Sequence, residues 1–289
     1  MIPTGPPTCT PEEYPPGFDR ILIENNRASG QSFISFTLNG VSHSSVNDNL
    51  FLNESFLGAA GSLNDGIIIN GISIIGGCQF IIPYGKGNSI NNNSFPNDLH
   101  FVTVSQEDIR ITGNTMIMKN NGIAPNSLAI ALRGTNGGVV TNNYIESTVP
   151  AVGMGIYTDS RVPAPPWPFD YTNNLNIRDN TIVNVGIGIV AFGGLEKSSI
   201  SGNTISGSGV FGIAVLDNAD GLYGAGQQNN PSSNFTLSKN AINAQNVAGI
   251  LLNGDTSGVS VVNNTFGDSD SVLVDIVLAD TDLLYGIPT

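Results

Sequence analysis

The sequence predicts an all-β fold, a single-stranded right-handed parallel β-helix of about ten coils of 21–24 residues. A six-residue phrase recurs along the chain at a base spacing of 21–24 residues, lengthened by insertions in three coils. A second, apolar phrase follows each clear copy, and the composition suits tight turns and stacked strands rather than helices.

The first phrase runs apolar, any, small or polar, Asn, any, apolar. It reads ITGNTM at 111–116, VTNNYI at 140–145, IRDNTI at 177–182, ISGNTI at 200–205, LSKNAI at 237–242 and VVNNTF at 261–266. Weaker copies precede these: IENNRA at 23–28, VNDNLF at 46–51, INGISI at 69–74 and INNNSF at 90–95. The fourth position falls at 26, 49, 72, 93, 114, 143, 180, 203, 240 and 264. The intervals are 23, 23, 21, 21, 29, 37, 23, 37 and 24, so the base coil is 21–24 residues and three coils carry insertions. Ile72 departs from the pattern.

The second phrase reads AIALR at 129–133, GIYTD at 155–159, GIVAF at 188–192, GIAVL at 212–216, GILLN at 249–253 and DIVLA at 275–279. Two short apolar strands per coil are therefore expected, each coil bonding to the next. With neighbouring strands ~4.8 Å apart, ten coils make a rod of roughly 50 Å. The recurrent Asn is expected to serve the fold. It tolerates the left-handed conformation of a sharp bend, and its stacked amides can bond as a ladder. The L-x-x-L-x-L signature of a leucine-rich horseshoe is missing.

Composition agrees. Of the 289 residues, 40% are apolar and only 11% charged, and 35 are glycine. An average domain is about 25% charged, and strong helix formers with charged ends are scarce here. The net charge of −13 argues against nucleic acid held through a basic patch. No apolar run of 18 residues and no basic-then-apolar leader follows Met1, so no membrane span is expected. Cys9 and Cys78 leave a disulfide open. Asn53, Asn92, Asn234 and Asn263 lie in Asn-x-Ser/Thr sequons, which an Asn-rich chain produces by chance.

The coil length and stacked Asn, as in ISGNTI at 200–205, make residues 18–289 resemble the pectate-lyase-like right-handed β-helix superfamily. That resemblance implies a secreted or cell- or virion-surface protein and a glycan partner. The superfamily holds polysaccharide lyases, glycoside hydrolases, uronan epimerases, phage tailspikes and surface adhesins, so the fold alone does not fix the activity. The polygalacturonase pattern (Asn-Thr-Asp, Asp-Asp, Gly-His-Gly, Arg-Ile-Lys) is absent. The Pro-rich residues 1–17 read as an arm or cap, and DTDLLYGIPT at 280–289 as cover for the other end.

Function in a solenoid tends to sit in insertions. One follows GIYTD at 160–173, and another follows GIAVL at 217–234. They leave at the same phase, two coils apart, with only the short turn GGLEKS at 193–198 between them. They are expected to wall a cleft roughly two strand spacings wide, with Trp167, Phe169, Tyr171 and Tyr223 as faces for sugar rings.

Period-2 alternation assigns the floor. Ile130, Ile156, Ile189, Ile213, Ile250 and Ile276 point inward, as do Leu132, Thr158, Ala191, Val215, Leu252 and Leu278. The outward columns bring Arg133, Tyr157 and Asp159 together and place Asn253 further along as a substrate-binding residue. His100 is a further candidate there. An exposed Arg133–Asp159 pair would otherwise be a plain surface ion pair. Phe192, Leu216, Leu251 and Val277 form an outward apolar stripe that calls for cover, by the insertions or by further copies in a trimer.

Two chemistries fit. Inverting hydrolysis needs two carboxyls about 6.5–9.5 Å apart, here Asp159 and Asp217, with Asp170 as substitute. A lyase needs a cation for the uronate carboxylate and a base, here Arg133 or Arg161, with Tyr157 or Arg161 acting on the proton. No cofactor is required. Calcium is open at Asp217/Asp220 or Asp268/Asp270, although clustered ligands of the pectate-lyase kind are not evident. The acidity of the chain favours a neutral glycan. No zinc spacing, P-loop, dinucleotide fingerprint or Gly-x-Ser-x-Gly elbow occurs. The leading expectation is a polysaccharide hydrolase or lyase. A glycan- or receptor-binding spike and a structural surface β-helix protein stay open.

Overall fold

The computed structural model describes residues 18–29, 36–37, 41–52, 57–58, 68–70, 73–75, 79–95, 100–118, 128–160, 172–216, 232–243, 247–254, 256–267 and 274–279. Their regular elements are all β-strands, paired in parallel from coil to coil. The architecture is a right-handed parallel β-helix.

Each complete coil has three strands, not the two expected. Asn173–Arg178, Thr181–Val183 and Ile187–Phe192 make one coil. Ser199–Ser201, Thr204–Ser206 and Phe211–Leu216 make the next. These are called here the approach, exit and return strands. The corner between approach and exit splits the first phrase in two, and the recurrent Asn stands at that corner.

A second correction concerns this corner. The left-handed residue is the one before the recurrent Asn: Asn25, Asp48, Asn92, Gly113, Asn142, Asp179, Gly202, Lys239 and Asn263 all have φ between 51° and 66°. The recurrent Asn itself keeps an ordinary φ. Its backbone N–H and its Nδ2 then both reach the next coil, because the turn has already been made by its neighbour. The ladder itself forms as expected. Asn93, Asn114, Asn143, Asn180, Asn203 and Asn240 each donate Nδ2 to Oδ1 of the next Asn at 2.9 Å, ending on Asn264. Asn26 does the same to Asn49 at 3.0 Å.

The core follows the alternation. Ile130, Ile156, Ile189, Ile213 and Ile250 are fully buried in one continuous cluster with the Ile of the approach and exit strands. Each such side chain contributes about 1.5–3 kcal/mol of transfer free energy. Ile276 and Leu278 continue the inward column but are exposed, on the last described strand.

The return strands run closer together than their neighbours allow for a side chain at one position. A Cβ at Gly188 would lie 2.5 Å from the Gly212 carbonyl oxygen and 2.6 Å from Ile205 Cγ2. Gly155 meets the same limits one coil earlier. This close approach explains the Gly that opens GIYTD, GIVAF, GIAVL and GILLN.

The outward face of the return strands is also buried. Tyr157, Val190, Phe192, Phe211, Ala214, Leu216 and Leu251 form a second apolar cluster. The single chain encloses this face, so the stripe does not by itself require another copy of the chain.

Candidate functional site

The two insertions share a common base. Asp159, Phe192 and Leu216 are register partners on consecutive return strands, so the insertions leave the coil from the same position. They also come back together, since Glu196 bridges Asn173 on one side and Ser233 on the other. The short turn from Gly193 lies between the two bases.

Serine hydroxyls anchor both bases to the turn between them. Ser160 Oγ donates to the Gly194 carbonyl at 2.7 Å and accepts from the Thr172 N–H at 2.9 Å. It thereby ties the exit of the first insertion to its return and to the neighbouring turn. Ser232 Oγ accepts from the Leu195 N–H at 3.1 Å on the other side. The reading of the sequence passed over both serines, though each stands at an edge of an insertion.

Tyr157 and Asp159 meet as expected. The Tyr157 hydroxyl donates to Asp159 Oδ2 at 2.7 Å, both side chains lying on the outward face of one strand. Asp159 is 7% exposed. Arg133 is the register partner of Asp159 on the preceding return strand, and Val104 follows on the other side. The described part of Arg133 is its backbone.

Asn253 lies on the same column, as register partner of Leu216. It is 1% exposed, and neither its Nδ2 nor its Oδ1 has a hydrogen-bond partner. Three strand spacings, about 14 Å, separate it from Asp159. The side chains between are Phe192 and Leu216, with Val190, Ala214 and Leu251 beside them. The floor is thus an enclosed apolar strip with a phenol–carboxylate pair at one end and a bare amide at the other. An exposed Arg133–Asp159 surface pair was the plain alternative, and burial of Asp159 removes its surface character.

Asp217, Arg161, Trp167, Phe169, Tyr171 and Tyr223 lie outside the described residues, as do Asp170, Asp220, Asp268, Asp270, Cys9, Cys78 and the segments 1–17 and 280–289. The side chain of His100 does too. Among the described residues no three His, Cys, Asp or Glu gather as a metal site. No helix among them is long and apolar enough to cross a membrane.

On another face, Tyr144 donates its hydroxyl to Glu146 Oε2 at 2.7 Å. The hydrogen bond to Glu146, partial burial and the nearby negative charge raise the Tyr144 pKa above its ordinary 10.0.

Solved structures resemble this chain at the level of fold. A surface adhesin of Streptococcus pneumoniae, PfbA, superposes with a TM-score of 0.50 at 10% identity, over 80% of this chain and 61% of its own. The tailspike protein of E. coli bacteriophage HK620 in complex with pentasaccharide gives 0.52 at 12% identity, over 85% of this chain and 54% of its own. A point mutant of that tailspike, also with pentasaccharide, gives 0.54 at 12%, over 90% and 52%. The chain therefore spans between half and two thirds of their lengths. No curated protein matches it in sequence. The model of the right-handed β-helix region matches residues 69–228, more than half of the 289, and the chain belongs to that family.

Proposed function

We propose that this protein engages a polysaccharide at the loop-bearing edge of its return strands and acts on it there. One observation carries the reading. Two insertions leave and return in register on either side of a plain turn, and the Tyr157–Asp159 pair stands at the foot of the first. A bare structural rod has no need of such paired excursions. The tailspike structures, which hold a pentasaccharide, and the adhesin support a glycan partner and a secreted, cell-surface or virion-surface setting.

Hydrolysis would use Asp159 with Asp217, the residue after the register partner Leu216. The hydrogen bond from the Tyr157 hydroxyl fixes the orientation of the Asp159 carboxyl at the foot of the first insertion. Lyase chemistry is the second reading, favoured by the register that sets Arg133 beside Asp159. Arg133 or Arg161 would neutralise a uronate, with Tyr157 or Arg161 acting on the proton.

The test is degradation across neutral and uronate polysaccharides, with and without calcium. Reducing ends alone would indicate a hydrolase, and their loss in Asp159→Asn or Asp217→Asn would place the carboxyls. Reducing ends with unsaturated-product absorbance would indicate a lyase. Binding without either product would leave a glycan-binding spike, and no binding across the panel would overturn the proposal.

A further inference from the structure

We propose that a patch of side-chain amides on the body of the β-helix, formed by Asn136, Asn173 and Asn174 between Glu107 and Glu196, is a carbohydrate-binding site. The inference rests on the glycan reading and goes beyond it, placing sugar contacts on the strands at the foot of the insertions.

The corner between return and approach strands carries an outward column in unbroken register. Glu107 is the partner of Asn136, Asn136 of Asn173, and Asn173 of Glu196. These four residues cover three strand spacings, about 14 Å, the length of a short oligosaccharide. Asn173 follows Thr172, where the first insertion rejoins the body, and Glu196 also bridges Ser233, where the second rejoins it. The column therefore runs past the return of both insertions. It is open to solvent: Glu107, Asn136, Asn173 and Glu196 are partly exposed and Asn174 is exposed.

The amides are oriented before any ligand arrives. Asn174 lies in the left-handed region, with φ 53°. Its Nδ2 donates to Asn173 Oδ1 at 2.6 Å and to Asn136 Oδ1 at 3.3 Å. Both of those oxygens are thus engaged. Among the described residues, Nδ2 of Asn136, Nδ2 of Asn173 and Oδ1 of Asn174 have no partner. Solvation alone leaves surface amides free to rotate. Bonding them to one another fixes their directions, and polar groups fixed in advance lower the ordering cost of binding.

The groups on offer fit sugar hydroxyls. The two Nδ2 groups donate, while Asn174 Oδ1 and the carboxylates at either end accept. A hydroxyl does both, whereas an ionised acid only accepts and an ammonium only donates. Glu107 and Glu196 each hold a lysine, Lys86 at 3.2 Å and Lys197 at 2.7 Å. Such exposed pairs are weak, and each carboxylate keeps further acceptor capacity.

Affinity electrophoresis of the full chain through gels containing dextran, galactomannan, xylan or polygalacturonate tests the site, with the dissociation constant read from the retardation. Two double variants separate donor loss from other effects. Asn136→Asp with Asn173→Asp keeps the oxygens that Asn174 bonds and removes the free donors. Asn136→Ala with Asn173→Ala removes the donors without adding charge. Both should bind the retarding polysaccharide about tenfold more weakly or worse. Ser201→Ala, on the outward face of an approach strand, should bind as wild type does. Binding as tight as wild type in either double variant overturns the inference. So does weakening that Ser201→Ala shares. So does a thermal midpoint lower by more than about 5 °C in both double variants, which would make the amides part of the fold. Failure of the underlying reading looks different, since wild type itself would then pass all four gels unretarded.

Discussion

Asn143 stands in the middle of a relay. Its Oδ1 receives two hydrogen bonds from Asn114, from the backbone N–H and from Nδ2, and its own N–H and Nδ2 pass to Asn180. Replacing it by Leu keeps the volume but leaves buried donors of Asn114 unmet. Asn143→Leu should cost about 2–5 kcal/mol, read as a lower urea or thermal midpoint. A loss under about 0.5 kcal/mol, the level of a surface change, would show that the ladder contributes little. The spacing of these asparagines was legible in the sequence because one residue type repeats. The left-handed residue before them was harder to read, since it varies among Asn, Asp, Gly and Lys. Gly113 and Gly202 were the available clue. Tyr144 offers a test at the same scale. Its pKa is raised by Glu146, so Glu146→Gln should bring it back toward 10.0 in an absorbance titration. The sign follows from linkage. A raised folded value favours the fold below the unfolded pKa, and that support disappears as pH climbs through the folded one. Wild type should therefore lose more stability than Glu146→Gln in the alkaline range, and identical alkaline profiles would contradict the assignment.

The return strand shows what a sequence phrase conveys about an element. The Gly opening GIVAF marks a place where the next coil comes within reach of a Cβ. Gly188→Val would press a branched side chain against the Gly212 carbonyl and Ile205. A loss of about 1–3 kcal/mol is expected, as for other overpacked cores, measured by chemical unfolding. Ala129, buried at the corresponding place in an earlier coil, shows that a single methyl can be housed, so Gly188→Ala should cost less. The inward stack was legible from period 2. Burial of the outward side was not, because alternation assumes one wet face. The unbroken apolar runs in FGIAVL and IGIVAF were the missed signal, since a strand buried on both faces reads that way. The same enclosure explains why Asp159 and Asn253, placed by spacing on an open floor, lie almost wholly out of solvent. The three-strand coil was hidden because its corner falls inside a single recurrent phrase, between Asp179 and Thr181 for example.

At the scale of the molecule, scaffold and site are separable. Ser160 and Thr172 are bonded to each other and to the neighbouring turn, so the body holds the ends of the first insertion together. Replacing residues 161–171 by a short Gly-Ser turn should shift the thermal midpoint by only a few degrees, because loop closure depends weakly on length, while glycan binding is lost. A variant that unfolds would show the insertion to be part of the core, and one that keeps full binding would move the site elsewhere. The ladder has one more consequence. Every amide in it points the same way, each coil giving to the next from Asn93 to Asn264. The amide dipoles therefore add along the axis, and the rod has a donor end and an acceptor end. Two copies meeting end to end could continue this polarity only head to tail, a contact that propagates into filaments instead of closing as a two-fold pair.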